Sequence, residues 1–490
     1  MRNSCRTYLE GAVRVFRWGE HLLCQDGGFY NDAQSSWRGI TVFQAMALYE
    51  TLEKHGRILE DRERRAMEDR LARAGEWVYK NIVPGYPTNL NYFAAGAALL
   101  ALLGGKYGKT QYTRQAETLF CLCRQQVGVS GLLCGEGGSI GGQDSRGNRP
   151  VDIGYNVDES LPSLLLYSRA MQDTEALEWV ERQMENHLLF VLPDGGIDNS
   201  FGTRNYKWSY WGSRTTDGCQ WGYGLWGTDK PLFLEAAYRN VQLLRQCTRN
   251  GLLYGGPDYA DHGEDACIHH TFCHAKGLAA VPDYGVESWE AQKLPTEKET
   301  GIFYYPEVHT FRVQTGGFLA DVTGYGWESG QGGHTMGGTI SLLWHPSYGP
   351  VVAAGMVEYW LTETADMRAE GRNRIRVVTG LADKEGNVLR AENGRETRIE
   401  LDYLFERDAV RIKGRVQEKE GLQGRWVLSL PVIRPGGKQF QGELEVRIQA
   451  GPLLGKREIF NLSPGFQAQE IQGEIDTEDI KGEWCCLKIL

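Results

Sequence analysis

The hydrophobic periodicity of this chain changes near residue 290, and this change constrains the fold more than any other feature. Up to about residue 285, apolar residues recur every three or four positions, as in RGITVFQAMALYETLEKHG and NLNYFAAGAALLALLGG. That spacing predicts amphipathic α-helices. After residue 300, apolar and polar residues alternate, as in TRIELDYLFERDAVRIKGRVQ, and alternation predicts antiparallel strands. A polar, proline-containing segment lies between the two patterns, as expected of a linker.

The chain is therefore predicted to be a multidomain α+β protein. We expect an N-terminal (α/α) toroid, an incomplete barrel of helical hairpins, over residues 1–285 and a linker over residues 286–300. An antiparallel β-sandwich is expected over residues 301–490. The length of 490 residues supports two domains, because a single hydrophobic core rarely serves more than about 250–300 residues.

Glycine-rich turns recur between the predicted helices. Asp26-Gly27-Gly28-Phe29 resembles Asp194-Gly195-Gly196-Ile197, and Tyr254-Gly255-Gly256 follows another helix at a similar place. Recurrent turns at the spacing of helical hairpins favour a ring of stacked hairpins, whose functional loops collect at one end. The alternative is an irregular helical domain in which these glycines only end helices.

Charge and cysteine content limit the partners and the compartment. With 63 acidic and 53 basic side chains, the net charge of −10 disfavours nucleic acid as a partner, while a local basic pocket could still bind an anion. The 11 cysteines are scattered without metal-knuckle spacing, which predicts reduced thiols and a cytoplasmic protein. No segment predicts a membrane span or a signal core. A periplasmic or secreted location would need a leader outside this sequence.

The densest group of functional residue types lies in residues 194–226, which hold four Trp, three Tyr, two Arg and one Lys with little periodicity. The faces of Trp and Tyr can stack on the C–H surfaces of sugars, while Arg204, Lys207 and Arg214 could bind carboxylates or sulfates. This loop therefore predicts a carbohydrate platform. The alternative is a connecting loop whose aromatic side chains form a local core.

Other polar residues stand at helix or strand starts. Asn156, in Gly154-Tyr155-Asn156-Val157-Asp158-Glu159, opens a helix and could cap it. His334 lies between glycine pairs before a strand, so its imidazole is expected to be presented rather than buried. His270 and His274 share a helix face at a spacing that can bind metal, with a core or supporting histidine as the alternative.

Two further segments are candidates for the rim of the same cleft. Asn89-Leu90-Asn91-Tyr92 begins a predicted helix, and Trp37 with Arg38 precedes another. The helix that carries His270 closes the predicted toroid, so His270 could line the cleft as well.

The chain resembles the heparinase II/III-like polysaccharide lyases and their alginate- and chondroitin-lyase relatives. The resemblance extends over nearly the whole chain, but its specific part is the order of Asn156, Tyr210 and His334, which are 54 and 124 residues apart. In such lyases an Asn or His of the toroid neutralises a carboxylate, and a catalytic Tyr follows about one hairpin later. A His of the sandwich then reaches back across the domain boundary.

The resemblance implies β-elimination at a uronic acid of a glycosaminoglycan-like or alginate-like chain. A uronate carboxylate must be neutralised before its C5 proton can leave, a role implied for Asn156 with support from Glu159. Tyr210 is the implied acid, and also the base if it loses its proton in time, with His334 as the alternative base and Tyr206 as the rival tyrosine. The predicted substrate-binding residues are Glu159, Arg204, Asn205, Tyr206, Lys207, Trp211, Arg214, Trp221 and His270. No cofactor is expected to be required, although some relatives carry a structural divalent metal.

Other functions also fit the predicted architecture. A glycoside hydrolase on an (α/α) barrel would use a carboxylate pair, drawn from Glu136, Asp158, Glu159, Asp198 and Asp217. A non-catalytic carbohydrate-binding protein would need the aromatic side chains alone. A sugar epimerase on a helical barrel would leave the large sandwich unexplained.

Overall fold

The computed structural model describes residues 2–205, 210, 218–257, 259–285, 288–327, 337–353, 365–381, 383, 387–422, 426–435, 444–448, 453–463, 466–475 and 482–490. The helices are α1 (Arg2–Trp18), α2 (Thr41–Glu50), α3 (Asp61–Asn81), α4 (Leu90–Tyr107), α5 (Thr110–Arg124), α6 (Ile153–Tyr155), α7 (Leu161–Met171), α8 (Thr174–Leu188), α9 (Gln220–Gly224), α10 (Pro231–Gln246) and α11 (Ile268–Asp283). A π-helical turn, Asn156–Ser160, joins α6 to α7 without a break.

The helices form an inner and an outer layer. Helices with apolar residues on all sides are buried in the inner layer, and helices with a single apolar face lie in the outer layer. The inner helix α4 is buried along most of its length, and so is α7 from residue 161 to residue 168. The outer helix α3 is highly charged and buries a single face. Neighbouring inner helices pack in the order α2, α4, α7, α9 and α11. The predicted incomplete (α/α) toroid is confirmed.

Side chains after α2 bring the two ends of this ring together. The Lys54 ammonium donates to the Asp283 carbonyl oxygen at 3.2 Å, and His55 Nε2 lies 3.0 Å from the Asp283 carboxylate. Asp283 is the last residue of α11. The first and last inner helices are therefore tied at their C-terminal ends.

Each of four outer helices is followed by the same tight turn. Bridges pair Leu23 with Phe29, Val127 with Leu133 and Val191 with Ile197, and β1 (Thr248–Arg249) pairs with β2 (Leu252–Leu253). The glycines at these turns adopt positive φ angles: Gly27, Gly131, Gly195 and Gly251. The repeat predicted from the first and third turns is real. The copy near residue 250 is Asn250-Gly251 rather than Gly255-Gly256, and the turn at 127–133 was missed because it lacks a glycine pair.

These turns place the connections from outer to inner helices at one end of the toroid. The loops that follow them lead into the N-termini of the inner helices. N-terminal helix ends carry free N–H groups and a partial positive charge. The fold therefore gathers several long loops and several anion-attracting helix ends in the same place.

The C-terminal half consists of two antiparallel sheets packed face to face. Its strands are β3 (Gly301–Tyr305), β4 (Thr310–Thr315), β5 (Phe318–Thr323), β6 (Thr339–His345), β7 (Gly349–Ala353), β8 (Asp366–Glu370), β9 (Arg374–Gly380), β10 (Arg398–Glu406), β11 (Ala409–Gln417), β12 (Trp426–Pro435), β13 (Leu444–Ile448), β14 (Leu453–Ser463), β15 (Phe466–Ile475) and β16 (Gly482–Ile489). One sheet has the order β14-β15-β12-β7-β6-β5-β4-β3 and the other β13-β16-β11-β10-β9-β8. Val313 and Val322 of the first share a core with Val377, Ile412 and Trp484 of the second, which confirms the predicted sandwich.

The segment between the two halves packs against the toroid. The last helix ends at Asp283 and β3 begins at Gly301. Within this segment Leu294 is fully buried, and the Thr296 hydroxyl donates to the Val191 carbonyl oxygen at 2.7 Å. The segment predicted as a linker is thus anchored to the helical half.

A buried ion cluster also joins the halves. Arg312 of β4 is fully buried, and its guanidinium binds Asp198 of the toroid and Asp321 of β5. The Ser200 hydroxyl donates to the Ser341 hydroxyl of β6 at 3.0 Å. Among the described residues, no helix has the length and apolarity of a membrane span.

Candidate active site

A cluster of polar side chains lies where the loops and inner helices of the toroid meet. Its members are Asn91 from the first turn of α4, Glu136 from the loop after α5, Tyr155 and Glu159 around the π-helical turn, and Arg204 from the loop after α8. The fold therefore assembles one site from four segments that are far apart in sequence.

Asn91 links the two glutamates of this cluster. Because α4 begins at Leu90, the backbone N–H of Asn91 is free of intrahelical partners, and it donates to Glu136 Oε1 at 2.5 Å. The side-chain amide of Asn91 donates to Glu159 Oε2 at 2.6 Å. The start of one inner helix thus orients a carboxyl from a loop and another from the neighbouring inner helix.

Arg204 is the cation at the centre of the cluster. Its side chain is only 11% exposed, and its guanidinium lies 3.5 Å from Glu136 Oε2. The guanidinium carbon also lies 4.1 Å from the centroid of the Tyr155 ring, which is a cation–π contact. Tyr155 is partly exposed, and its hydroxyl makes no hydrogen bond to any residue that the structure describes. Arg204, Tyr155 and Glu159 are the partly accessible members of the cluster.

The carboxyl groups here are harder to ionise than usual. Burial raises the pKa of Glu136 to about 8, against the opposing pull of Arg204 and of the Asn91 N–H. Burial also raises the pKa of Glu159, although the Asn91 amide lowers it, and the pKa of Asp158 rises for the same cause. At neutral pH the raised pKa favours the protonated form of Glu136, which leaves more of the positive charge of Arg204 available to a ligand.

Helix α11 forms another wall of the cleft. The Lys276 ammonium lies 5.3 Å from the centroid of the Trp221 ring, and its charge acts on both Asp158 and Glu159. Trp221 is buried and its Cβ lies against Gly277. It packs against α11 and offers little surface to a sugar, unlike the predicted binding role.

The His270 and His274 pair lies on the same helix. His270 is partly exposed, one turn before His274. His274 is buried, its Nδ1 lies 2.8 Å from the Gln220 side-chain amide, and burial lowers its pKa to about 4. Within the described ranges, no group of three or more His, Cys, Asp or Glu side chains is arranged to hold a metal ion. The predicted binding role of His270 stays a prediction.

Asn156 is turned away from the cluster. Its amide donates to the Leu133 carbonyl oxygen at 2.8 Å and lies 3.1 Å from His187 Nε2, and the residue is fully buried. Asp152, not Asn156, caps the helix, because its carboxylate accepts the Tyr155 N–H at 3.1 Å. The predicted cap is therefore wrong, and the amide would have to leave both partners to reach a substrate.

Tyr210 is buried at the boundary between the two halves. Its hydroxyl donates to the Asp194 carboxylate and accepts from the Trp344 indole N–H at 2.8 Å. It packs with Leu192 and Leu342 in a small core of its own. Burial, followed by the Asp194 charge, raises the pKa of the phenol. In this position Tyr210 connects β6 to the toroid, and the structure does not place it beside Asn156 or Arg204.

The remaining predicted site residues divide into two sets. Asn205 is buried and its amide donates to the Ser200 carbonyl oxygen at 3.3 Å, so it supports the loop. The others lie outside the described residues: Tyr206, Lys207, Trp211, Arg214 and His334. Their roles stay predictions, as do the catalytic roles of Asn156 and Tyr210.

Several residues of the cluster were not among the predicted site residues. The sequence suggests Asn91 only as a rim residue and Glu136 only as a member of a hydrolase pair, and it suggests no role for Tyr155 or for the neighbouring Lys276. Two features of the sequence point to these residues. Glu136 is a charged residue within the glycine-rich run Gly135-Glu136-Gly137-Gly138, and Asn91 stands at the N-terminus of an inner helix.

An (α/α) toroid with a charged cleft, followed by an antiparallel β-sandwich, is typical of carbohydrate-active proteins, polysaccharide lyases among them. The helical half matches the family model described as the ulvan lyase N-terminal domain over residues 2–299, and residues 302–380 match the ulvan lyase C-terminal domain. The broad-specificity ulvan lyase of Formosa agariphila is 37% identical over 527 residues, covering 95% of this chain and 82% of that protein. The chain belongs to the ulvan lyase family and is a polysaccharide lyase, as predicted.

Two solved structures also resemble this chain at low identity. The heparan sulfate lyase HepC of Pedobacter heparinus is 10% identical, covering 93% of this chain and 70% of its own, with a TM-score of 0.47. A heparinase III is 10% identical over 93% of this chain and 67% of its own, with a TM-score of 0.45.

Proposed function

We propose that this lyase depolymerises an acidic, uronate-containing polysaccharide of the ulvan type by β-elimination in the cleft around Arg204. The family and the name of the Formosa agariphila relative support the substrate class. The observation that carries the choice of site is the position of Arg204, a nearly buried guanidinium beside a glutamate whose raised pKa favours the protonated form at neutral pH.

Arg204 supplies the neutralisation that the reaction needs. A bidentate guanidinium–carboxylate pair spreads positive charge over both oxygens of a uronate. A base then removes the C5 proton. The electron pair of the broken C5–H bond is delocalised as an enolate, which the Arg204 guanidinium stabilises. The C4–O bond breaks, a C4–C5 double bond forms, and the leaving oxygen takes a proton from an acid.

Tyr155 is the described side chain best placed to be that acid. Its ring lies under Arg204 and it is partly exposed. Burial raises the pKa of its phenol, with Arg204 acting in the opposite direction, so Tyr155 starts each turnover protonated. Tyr206 or His334 serves as the base in this scheme.

The alternative scheme keeps the catalytic set of Asn156, Tyr210 and His334. It requires the Asn156 amide to leave Leu133 and His187, and the Tyr210 phenol to leave Asp194. The two schemes differ in which phenol is essential. Tyr155→Phe should abolish turnover in the first and preserve it in the second, whereas Tyr210→Phe should give the opposite results.

A substrate panel tests the proposal directly. The protein is incubated with ulvan, heparan sulfate, chondroitin and alginate, and the absorbance of the new double bond is followed. Product masses separate the rival chemistry, because a lyase product is one water lighter than the product of a hydrolase. Strong absorbance with ulvan supports the proposal, and saturated products or absence of cleavage contradict it.

A pair of arginine variants tests the site. Arg204→Met should reduce kcat/KM by at least about a hundredfold, since a buried charge contact at the reacting group contributes about 3 kcal/mol or more. Arg204→Lys should retain part of the activity because the charge remains. The matched control is Arg245→Met, at an exposed position on the outer helix α10. An equal loss in both Met variants would refute the assignment.

We further propose that elimination needs no metal or organic cofactor. Dialysis of the protein against a chelator should leave the rate unchanged. A rate that is lost on dialysis and returns on adding a divalent cation would contradict this proposal.

We also propose that the chain acts in the cytoplasm on imported oligosaccharides. Cell fractionation that recovers the protein outside the cytoplasm would contradict this proposal.

A further inference from the structure

Three aromatic rings from separate segments meet at the rim of the cleft. Trp37 lies in the loop before α2, Tyr86 in the loop before α4, and Tyr92 in the first turn of α4. The Trp37 ring centroid lies 5.8 Å from that of Tyr86 at an interplanar angle of 38°, and 5.3 Å from that of Tyr92 at 85°. All three side chains are partly exposed.

The orientation of Trp37 is set by its surroundings. Its indole N–H donates to the Tyr92 hydroxyl at 3.2 Å, so the polar atom of the ring is already satisfied. A Cβ on Gly39 would overlap the Trp37 ring, which shows that the ring lies directly over the glycine backbone. The Phe43 ring packs edge-on against the Tyr92 ring, with 5.3 Å between the ring centroids.

Trp37 lies at the edge of the main core of the toroid. Tyr86 and Tyr92 pack against the main core of the toroid, but Trp37 is not among the side chains that do so. A tryptophan that is held by a hydrogen bond and a glycine, yet stays partly exposed, presents a rigid apolar surface at low entropic cost. Such a surface is better explained by ligand binding than by a role in stabilising the fold.

The aromatic group adjoins the charged cluster. Tyr92 follows Asn91, whose amide binds Glu159. Burial raises the pKa of the Tyr92 phenol, and the nearby carboxyl groups of Glu159 and Glu136 raise it further. The nearby Arg38 is bound to Asp26 at 2.7 Å, so the cation beside the group is already paired. The surface next to the uronate position is therefore apolar and carries no uncompensated positive charge.

We propose that Trp37, together with Tyr86 and Tyr92, forms a stacking subsite for the C–H face of a pyranose ring adjacent to the uronate at Arg204. This inference rests on the proposed function of the Arg204 cleft. The aromatic subsite would recognise the shape and the C–H groups of a sugar ring, whereas the position at Arg204 recognises the charge of a uronate. The subsite therefore strengthens binding only for chains long enough to reach both positions.

The experiment compares tryptophan variants on a size series of ulvan oligosaccharides. Trp37→Ala should raise KM about fivefold on long chains with little change in kcat, because stacking on an aromatic face contributes about 1 kcal/mol and is present in ground and transition states alike. The shortest cleavable oligosaccharide should show no change, and Trp37→Phe should restore most of the affinity. Trp18→Ala, at a 64% exposed tryptophan of α1, is the matched control.

The outcomes separate this inference from the proposed function. An unchanged KM at every length in Trp37→Ala overturns the subsite, and so does an equal loss at every length with a lowered melting temperature. If the wild type makes no unsaturated product from ulvan, the proposed function fails. The binding of wild-type, Trp37→Ala and Trp18→Ala proteins to ulvan is then compared by calorimetry. Weakened binding in Trp37→Ala alone supports the subsite, and equal or absent binding in all three overturns it.

Discussion

The indole N–H of Trp344 donates a 2.8 Å hydrogen bond to the phenol oxygen of Tyr210. This contact joins β6 of the sandwich to the loop after α8. The same phenol donates to the Asp194 carboxylate, which also lies 3.3 Å from the Trp344 indole nitrogen. A tyrosine predicted to be catalytic thus stands in a buried three-residue network between the two halves.

Replacing Tyr210 should lower stability more than it lowers turnover. Tyr210→Phe leaves the buried Asp194 carboxyl without its hydroxyl donor, which costs about 1–3 kcal/mol. Chemical denaturation measures this loss, and Trp344→Phe should show a smaller one because the Tyr210–Asp194 bond remains. Abolished turnover in Tyr210→Phe with unchanged stability would instead make the phenol catalytic and show that it leaves Asp194 during the reaction.

Activity should fall as the pH rises through about 8. Below that value Glu136 is protonated and the Arg204 charge is available to the substrate, and above it the Glu136 carboxylate competes for Arg204. Glu136→Gln keeps the acceptor for the Asn91 N–H and removes the titration, so its kcat/KM profile should lose this alkaline limb. A limb that persists unchanged in the variant would assign it to another group.

The same group predicts a trend in stability. The pKa of Glu136 is raised above the ordinary value of 4.5, so the native state binds more protons than the unfolded chain between 4.5 and about 8. The contribution of Glu136 to the free energy of unfolding must therefore decrease as pH rises across that window. The difference between wild type and Glu136→Gln, measured at several pH values, should show this decrease, and a constant difference would contradict it.

Asn91 should act by positioning Glu159. Asn91→Ala removes the 2.6 Å bond that lowers the Glu159 pKa, so any limb of the kcat/KM profile that Glu159 contributes should move to higher pH. The loss of this hydrogen bond should also lower kcat/KM about fivefold. Asn81→Ala, which removes an amide bonded to the Trp77 carbonyl oxygen on α3, is the control. A fall in activity without a shifted profile would indicate a purely structural role.

The buried arginine between the halves should be essential for stability. Arg312→Met leaves the Asp198 and Asp321 carboxyls buried without their cation, which costs about 3–5 kcal/mol. Urea denaturation measures the change. Arg407→Met, at a 93% exposed side chain in the turn after β10, should have no measurable effect. Equal stability of the two variants would show that the ion cluster is dispensable.

One repeated turn offers a matched pair of glycine substitutions. Gly195 has a φ of +95°, and a Cβ there would overlap the Arg239 carbonyl group. Gly251 has a φ of +78° with no atom near its Cβ position. Gly251→Ala should cost about 1 kcal/mol from backbone strain alone, and Gly195→Ala clearly more. Equal losses in thermal denaturation would mean that the backbone at Arg239 moves aside.

Part of the site was predictable from local composition. The loop that contains Arg204 is rich in basic and aromatic residues, which predicts a binding role for Arg204, whereas the role of Glu159 is implied by the family resemblance, since some relatives carry a supporting acid at that place. Asn156 itself points the other way, toward Leu133 and His187. A π-helical turn begins at this residue and changes the phase of the helix face, which the spacing of residues did not reveal.

The two halves, the helical hairpins and the sandwich could be predicted from the amino-acid sequence, because hydrophobic periodicity and turn residues act over a few neighbouring positions. The meeting of Asn91, Glu136, Glu159 and Arg204 in one cleft depends instead on the packing of the complete fold. Their convergence depends on how the inner helices rotate and pack against one another. That rotation is set by the burial of the whole ring, and no single segment encodes it.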